Sequence, residues 1–132
     1  MTEMVTVSER PGGVYTNDVK TSRHHLLADE PVNLGSSDLG PTPFEYLAAG
    51  LGACTTITLR MYANRKKWPV EHVAVDVSQS RNSEGRHVFT RELSFKGDLS
   101  EVQVKRLLEI ADKCPVHKTL SAGSDVVTIL AG

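Results

Sequence analysis

Residues 40–60 read GPTPFEYLAAGLGACTTITLR, and the fold turns on this run because it is long, apolar on every side and carries a sulfur, that of Cys54. Thr42 followed three residues later by Glu45 spells a capping box. The hydroxyl accepts from the Glu45 backbone N–H, the carboxylate accepts from the N–H of Thr42, and Pro43 takes the first helical position. A helix is therefore predicted to start here. No charged side chain occurs from Tyr46 to Leu59, and Leu47, Leu51, Cys54, Thr58 and Met61 recur at steps of three or four. Ala48, Ala49, Ala53 and Ile57 cover the other faces, so the helix is expected to be buried all round rather than amphipathic. Its 14 charge-free residues fall short of the roughly 20 that a membrane span needs. Gly50 and Gly52 each cost about 1 kcal/mol relative to alanine, and the expected return is close approach of another backbone.

Upstream, Met4 to Ser8, Val14 to Lys20 and His24 to Asp29 read as short strands separated by Pro11-Gly12-Gly13 and Thr21-Ser22-Arg23, an antiparallel meander. Pro31 to Pro43 is rich in Gly, Pro, Ser and Asn and reads as an irregular loop that brings Asp29, Glu30 and Asp38 toward the start of the helix. Downstream, Asn64 to Pro69 closes the helix with positive charge, which suits the helix dipole.

Val70 to Ser80 alternates, with Val73, Val75 and Val77 on one face. After a turn at Asn82 to Gly85, His87 to Lys96 alternates again, placing Phe89, Leu93 and Phe95 on one side, with Arg91 on that same side near its edge. The two form a hairpin. Ser100 with Gln103 is a second capping box, opening an amphipathic helix that ends near Lys113. Pro115 then opens a further helical turn or two through Leu120, stopped by Gly123, and Asp125 to Leu130 reads as a closing strand. The class is α+β. A second copy of the chain would cover the all-apolar helix more completely than one sheet and one amphipathic helix can, so a homodimer is expected.

Composition narrows the function. The 132 residues, 39% of them hydrophobic, suit a single domain, residues 1–132, with a real core. Fifteen basic residues against sixteen acidic ones leave no basic block, hence no electrostatic footprint for nucleic acid. MTEMVTVSER lacks the apolar core of a secretory signal, so a cytoplasmic location is expected, with no membrane association. Two cysteines in a reducing compartment read as free or catalytic thiols rather than a staple.

The two thiols differ in setting. Cys114 stands where a helix N-cap falls if Pro115 opens the next helix, and backbone N–H groups there favour a thiolate. An unperturbed thiol is only about 3% ionised at pH 7. Cys54, in the middle of an apolar helix, has its ionisation opposed by its surroundings and becomes a nucleophile only if a cation is brought to it. His117, three residues after Cys114, could orient a thiolate. As a metal site, however, a Cys-x-x-His pair supplies two ligands where structural zinc takes four, so no metal and no cofactor is expected. His24 and His25 point to opposite faces of a strand, so at most one of them reaches a site near the helix start.

GPTPFEYLAAGLGAC, then the hairpin, then a helix leading into CPVHKTL, together resemble the OsmC/Ohr family of osmotically inducible and organic hydroperoxide resistance proteins, over nearly the whole chain. The Asp29-Glu30-Pro31 segment and GPTPFEYL resemble its YhfA-like branch. The resemblance implies an OsmC-like fold, an intertwined homodimer with antiparallel sheets wrapped around central buried helices, and active sites at the dimer interface. It also implies a thiol-dependent peroxidase acting in oxidative-stress defence. Cys54 is then the peroxidatic thiol, attacking an organic hydroperoxide to become a sulfenic acid. Cys114 is the resolving thiol, and an external dithiol reduces the resulting disulfide. Family peroxidases pair the first thiolate with an arginine from the N-terminal half, held by a glutamate ten positions before the cysteine. Counting back ten from Cys54 gives Phe44, which leaves Glu45 one residue off and Arg23 as the nearest upstream arginine. The competing expectation is a non-catalytic OsmC-like binding or redox-sensing protein. A hydrolase is disfavoured because no Gly-x-Ser-x-Gly elbow is present.

Overall fold

The computed structural model describes residues 3–132. Its elements run β1 (Thr6–Glu9), β2 (Asn17–Lys20), β3 (His25–Ala28), a 3-10 turn (Val32–Leu34), α1 (Pro43–Lys66), β4 (His72–Arg81), β5 (His87–Lys96), α2 (Glu101–Ala111) and α3 (Pro115–Ala122). Two antiparallel sheets form, β1-β2-β3 and β4-β5, so the α+β class is observed. The chain groups into two compact units, one ending at Leu47 and the other spanning Ala48–Gly132.

The first unit is the expected meander, with Val7 opposite Val19 and Val19 opposite Leu26. Its organising group is Asp29, which is fully buried. The carboxylate accepts from Thr16 Oγ1 at 2.8 Å, from the Ser36 hydroxyl, and from the backbone N–H groups of Glu30 at 2.8 Å and Leu39 at 3.0 Å. One acid thereby stitches the loop after β3 back onto the β1-β2 connection. On the surface of the same sheet, Arg10 and His25 both engage Asp18 at 2.7 Å.

The second unit packs the C-terminal half of α1 and the inner face of α2 against the β4-β5 hairpin. Leu59, Tyr62, Ala63, Val70, Leu107, Ile110 and Ala111 form the buried core, with Trp68, Val73, Leu93 and Phe95 against it. The hairpin register sets Val73 opposite Phe95, Val75 opposite Leu93 and Val77 opposite Arg91, so over these three pairs the sheet face is apolar except at Arg91. Within the chain no other backbone approaches the two helix glycines as expected: at Gly52 an added Cβ would lie 3.3 Å from a side-chain atom, Val77 Cγ2, and at Gly50 the space is open. Where β5 ends, Gly97 has φ +137°, and a Cβ there would collide with the Pro69 carbonyl. Only glycine turns the chain at that point.

Two further expectations are corrected. The first concerns α1, which is not buried all round. It buries a stripe of Leu51, Thr55, Leu59, Tyr62 and Ala63, while Ile57 and Met61 are 58% and 67% exposed. Within its unit a single two-stranded sheet and α2 cover one side of the helix and no more. The second concerns the closing strand at Asp125 to Leu130, which does not form. Val126, Val127, Ile129 and Leu130 are at least 83% exposed. A strand exists only as half of a hydrogen-bonded pair, and the described residues pair no strand with this segment.

Burial pushes the Asp29 acid upward, but the hydrogen bonds from Ser36, Leu39, Glu30 and Thr16 outweigh it and hold the group at about 2, below the ordinary 3.8. A depressed carboxylate stabilises the fold fully above the unfolded-state value and loses that contribution as the pH falls through the folded-state value. Asp29→Asn is expected to lower the urea midpoint at pH 7. Between about pH 4 and pH 2 the variant should lose less stability than the parent, checked by urea melts across that range.

Candidate functional site

The site is assembled wholly within the second unit, around two thiols from different helices. Cys54 lies on α1 and is half-buried; Cys114 is free, with no exposed surface at all. Cys114 is the N-cap of α3 with Pro115 behind it, and its sulfur accepts from the His117 backbone N–H at 3.5 Å. The N-cap position read from the Cys-Pro dipeptide is therefore observed. Here the residue between two helices is held by both, since its own backbone N–H donates to the Ala111 carbonyl at the end of α2.

The two thiols lie within reach of one another, so that the state of each bears on the other. Burial first, and the neighbouring Cys114 next, push Cys54 upward, against smaller help from the Val116 N–H and the Thr58 hydroxyl. Burial also opposes ionisation of Cys114. The Cys54 thiol, the His117 N–H, the Thr55 hydroxyl and the Val116 N–H together outweigh it, so Cys114 is pulled downward. Both directions agree with the settings read from sequence, a mid-helix thiol against a capping one.

Beside the pair stands Arg91, whose side chain is 11% exposed. Its Nη1 donates to Thr55 Oγ1 at 3.0 Å and to the Ala111 carbonyl at 2.9 Å. Its Nη2 donates to Asp112 Oδ1 at 3.1 Å and meets His117 Nδ1 at 2.9 Å. A guanidinium has only donors, so His117 Nδ1 is the acceptor and the ring carries its proton on Nε2. The Ala111 carbonyl is one of the last of α2 and lacks a partner inside its helix, and a cation is favoured at that end of the dipole. One arginine thus ties α1, α2 and α3 to β5. Sequence reading placed Arg91 among Phe89, Leu93 and Phe95 but gave it no role at the site. The available signal was a charge in register with an apolar face, which requires buried partners.

Of the other residues singled out from sequence, Glu45 forms the predicted capping box. Its N–H donates to Thr42 Oγ1 at 3.2 Å and its carboxylate accepts from the Thr42 N–H at 2.9 Å. Arg23 lies exposed in the turn between β2 and β3, where its N–H donates to Thr21 Oγ1 at 3.4 Å. Both belong to the first unit. The structure thus brings Cys54 and Cys114 together and adds Arg91, Thr55 and His117 to them.

Arg91 and His117 also line a cleft of about 660 Å³, walled by Leu51, Val88, Phe89 and Leu120, with Arg86 and Ser121 among its polar groups. Its walls combine apolar surface with guanidinium and hydroxyl groups, a lining suited to a small amphipathic molecule.

Comparison with known proteins gives consistent results. A family model described as OsmC-like protein matches residues 35–129. An OsmC-like protein from Mycoplasma pneumoniae superposes with a TM-score of 0.76 at 19% identity, over 92% of this chain and 88% of that one. An organic hydroperoxide resistance protein OsmC from Legionella pneumophila does so with a TM-score of 0.62 at 24% identity, over 89% and 88% of the two chains. A third, an organic hydroperoxide resistance protein from Elizabethkingia anophelis, gives 0.65 at 22% identity, over 89% and 86%. No functionally curated protein matches the sequence at a significant level. Among the described residues no helix is long and apolar enough to cross a membrane.

Two free thiols that lie within reach of one another can be joined as a disulfide. Mild oxidation with diamide is expected to link Cys54 to Cys114 within one chain. Intact-mass and peptide analysis should show the loss of two hydrogens per chain, with no covalent species larger than one chain on non-reducing gels.

Proposed function

Since the chain belongs to the OsmC-like family, we propose that it is a thiol-dependent peroxidase that reduces organic hydroperoxides through Cys54 and Cys114. The observation that carries this reading is the pair of free thiols brought within reach of one another from α1 and the start of α3, one of them reachable from solvent. The family relation and the hydroperoxide resistance proteins among its structural relatives support the same chemistry. Cys54, the accessible sulfur, attacks the terminal oxygen of the hydroperoxide. The O–O bond breaks, an alcohol leaves and Cys54 becomes a sulfenic acid. Cys114 attacks that sulfur and releases the oxygen as water or hydroxide, forming the disulfide. An external dithiol then returns the enzyme to its reduced state by exchange. An organic rather than inorganic peroxide suits the apolar walls of the cleft beside Arg91 and His117.

The working form is a homodimer. The exposed stripe on α1, with Ile57 and Met61, and the exposed run of Val126, Val127, Ile129 and Leu130 are surfaces that a second copy would take out of water. A reducing compartment, the cytoplasm, suits two thiols that must be regenerated after each turnover.

Consumption of cumene hydroperoxide with dithiothreitol tests the chemistry. Cys54→Ser is expected to slow it on the order of a thousandfold or more, as removal of a nucleophile does. Equal rates for Cys54→Ser and wild type would sink the peroxidase reading and leave a binding or sensing protein. For the assembly, light scattering should give twice the chain mass, and Met61→Glu should shift it toward a single chain by placing a charge in the apolar contact.

A further inference from the structure

We propose that Arg91 is the positioning residue of the resolving step. It fastens the turn that carries Cys114 to the stretch of α1 that carries Cys54, and it thereby governs how readily the disulfide closes. The place of that closure in a catalytic cycle rests on the peroxidase reading. The effect of Arg91 on closure itself does not.

The bonds of its guanidinium go to neighbours of the thiols. On α1, Nη1 donates at 3.0 Å to the hydroxyl of Thr55, the residue that follows Cys54. The same nitrogen donates at 2.9 Å to the Ala111 carbonyl, and that carbonyl also accepts the Cys114 backbone N–H at 3.3 Å. One nitrogen thus spans from the residue beside the first thiol to the backbone anchor of the second. Past Cys114, Nη2 meets His117 Nδ1 at 2.9 Å, and the His117 backbone N–H donates to the Cys114 sulfur at 3.5 Å. Nη2 also donates to Asp112 Oδ1 at 3.1 Å. The turn is therefore held both before the cysteine and after it.

Apolar packing does not do this work downstream of Cys114, because no residue of α3 is buried. Pro115, at the first helical position, stiffens the turn but has no N–H to bond. The point on α1 to which the turn is fastened is itself fixed. Thr55 has no exposed surface, and its hydroxyl donates to the Leu51 carbonyl at 2.7 Å. Arg91 stands on β5 opposite Val77 with its side chain 11% exposed. Its planar fork holds acceptors from three helices in one geometry, which a single ammonium can meet only in part.

Closure is an intramolecular displacement. The Cys114 sulfur attacks the sulfenic sulfur of Cys54, the S–S bond forms and the S–O bond breaks. The oxygen leaves as water, taking the hydrogen of the Cys114 thiol. The Cys114 sulfur gives up one electron and the Cys54 sulfur gains one, so the step calls for no further oxidant. Its rate depends on how often the two atoms meet in line, and a disulfide accepts only a narrow geometry. A loosened Cys114 turn meets that geometry less often. The preceding attack of Cys54 on the hydroperoxide forms no bond to that turn, so the two steps respond unequally to loss of Arg91.

The test equilibrates the reduced protein with mixtures of reduced and oxidised glutathione and measures the Cys54–Cys114 disulfide by alkylation and intact mass. The result is the effective concentration of one thiol toward the other, obtained without peroxide. Arg91→Gln is expected to lower it about tenfold, the scale of one hydrogen bond to a charged group, and Arg91→Lys to restore part of the loss. In a single turnover with cumene hydroperoxide, dimedone trapping separates sulfenic acid from disulfide. Arg91→Gln should slow closure several-fold more than it slows oxidation of Cys54, so that the trapped adduct rises. His117→Ala, which cuts only the downstream hold, should move both readouts the same way by less, and it decides the matter if circular dichroism shows Arg91→Gln unfolded. A wild-type effective concentration in the folded variants overturns the role of Arg91. Equal slowing of both steps overturns it too, since general loosening spares neither. A wild-type protein that closes its disulfide in glutathione yet forms no sulfenic acid with the hydroperoxide overturns the peroxidase reading instead, and the glutathione measurement still decides the role of Arg91.

Discussion

A single guanidinium does the joining in the thiol-bearing unit. Removing an arginine from water costs several kcal/mol if its donors go unmet, and four of the five donors of Arg91 are met by Thr55, Ala111, Asp112 and His117. Each of those acceptors would in turn lose a charge-assisted partner without it. This mutual requirement fixes where α2 stops, where α3 starts and how both face α1. The residue caught at that junction is Cys114. Its chemistry follows from packing that is needed for other reasons.

The thiols illustrate how burial alone does not decide acidity. Cys114 is the more deeply buried of the two, which by itself disfavours ionisation. It is nonetheless the one pulled down, because four donors surround it. Cys54 is more open to solvent and is nonetheless pushed up, by the burial it does have and by Cys114 beside it, with fewer donors to offset them. Accessibility and ease of ionisation are thereby divided between two sulfurs: Cys54 is the more open, and Cys114 the one whose surroundings favour the thiolate.

Much of this was legible in the sequence where the determinants are local. The capping boxes at Thr42 and Ser100, the alternation of Val73, Val75 and Val77 against Phe89, Leu93 and Phe95, and the N-cap at Cys114 each depend on residues a few positions apart, and each is found. The role of Arg91 was not legible, because its acceptors come from α1, the end of α2 and α3, all distant in the chain. Asp29 is a similar case. Read as an acid near the helix start, it is the hub of its unit through Thr16, Ser36 and Leu39. The closing strand and the all-round burial of α1 failed for a third reason, since apolar periodicity records that a surface wants covering and not what covers it.

The hydroxyl of Thr55 has a mechanical side. While it bonds the Leu51 carbonyl it acts as a back-bond, the arrangement that bends a helix. Gly52, next to Leu51 and with no side chain to stiffen the turn, lies between the two bonded residues and directly against Val77. The bend that such a bond favours thus falls where α1 presents backbone rather than a side chain to the hairpin.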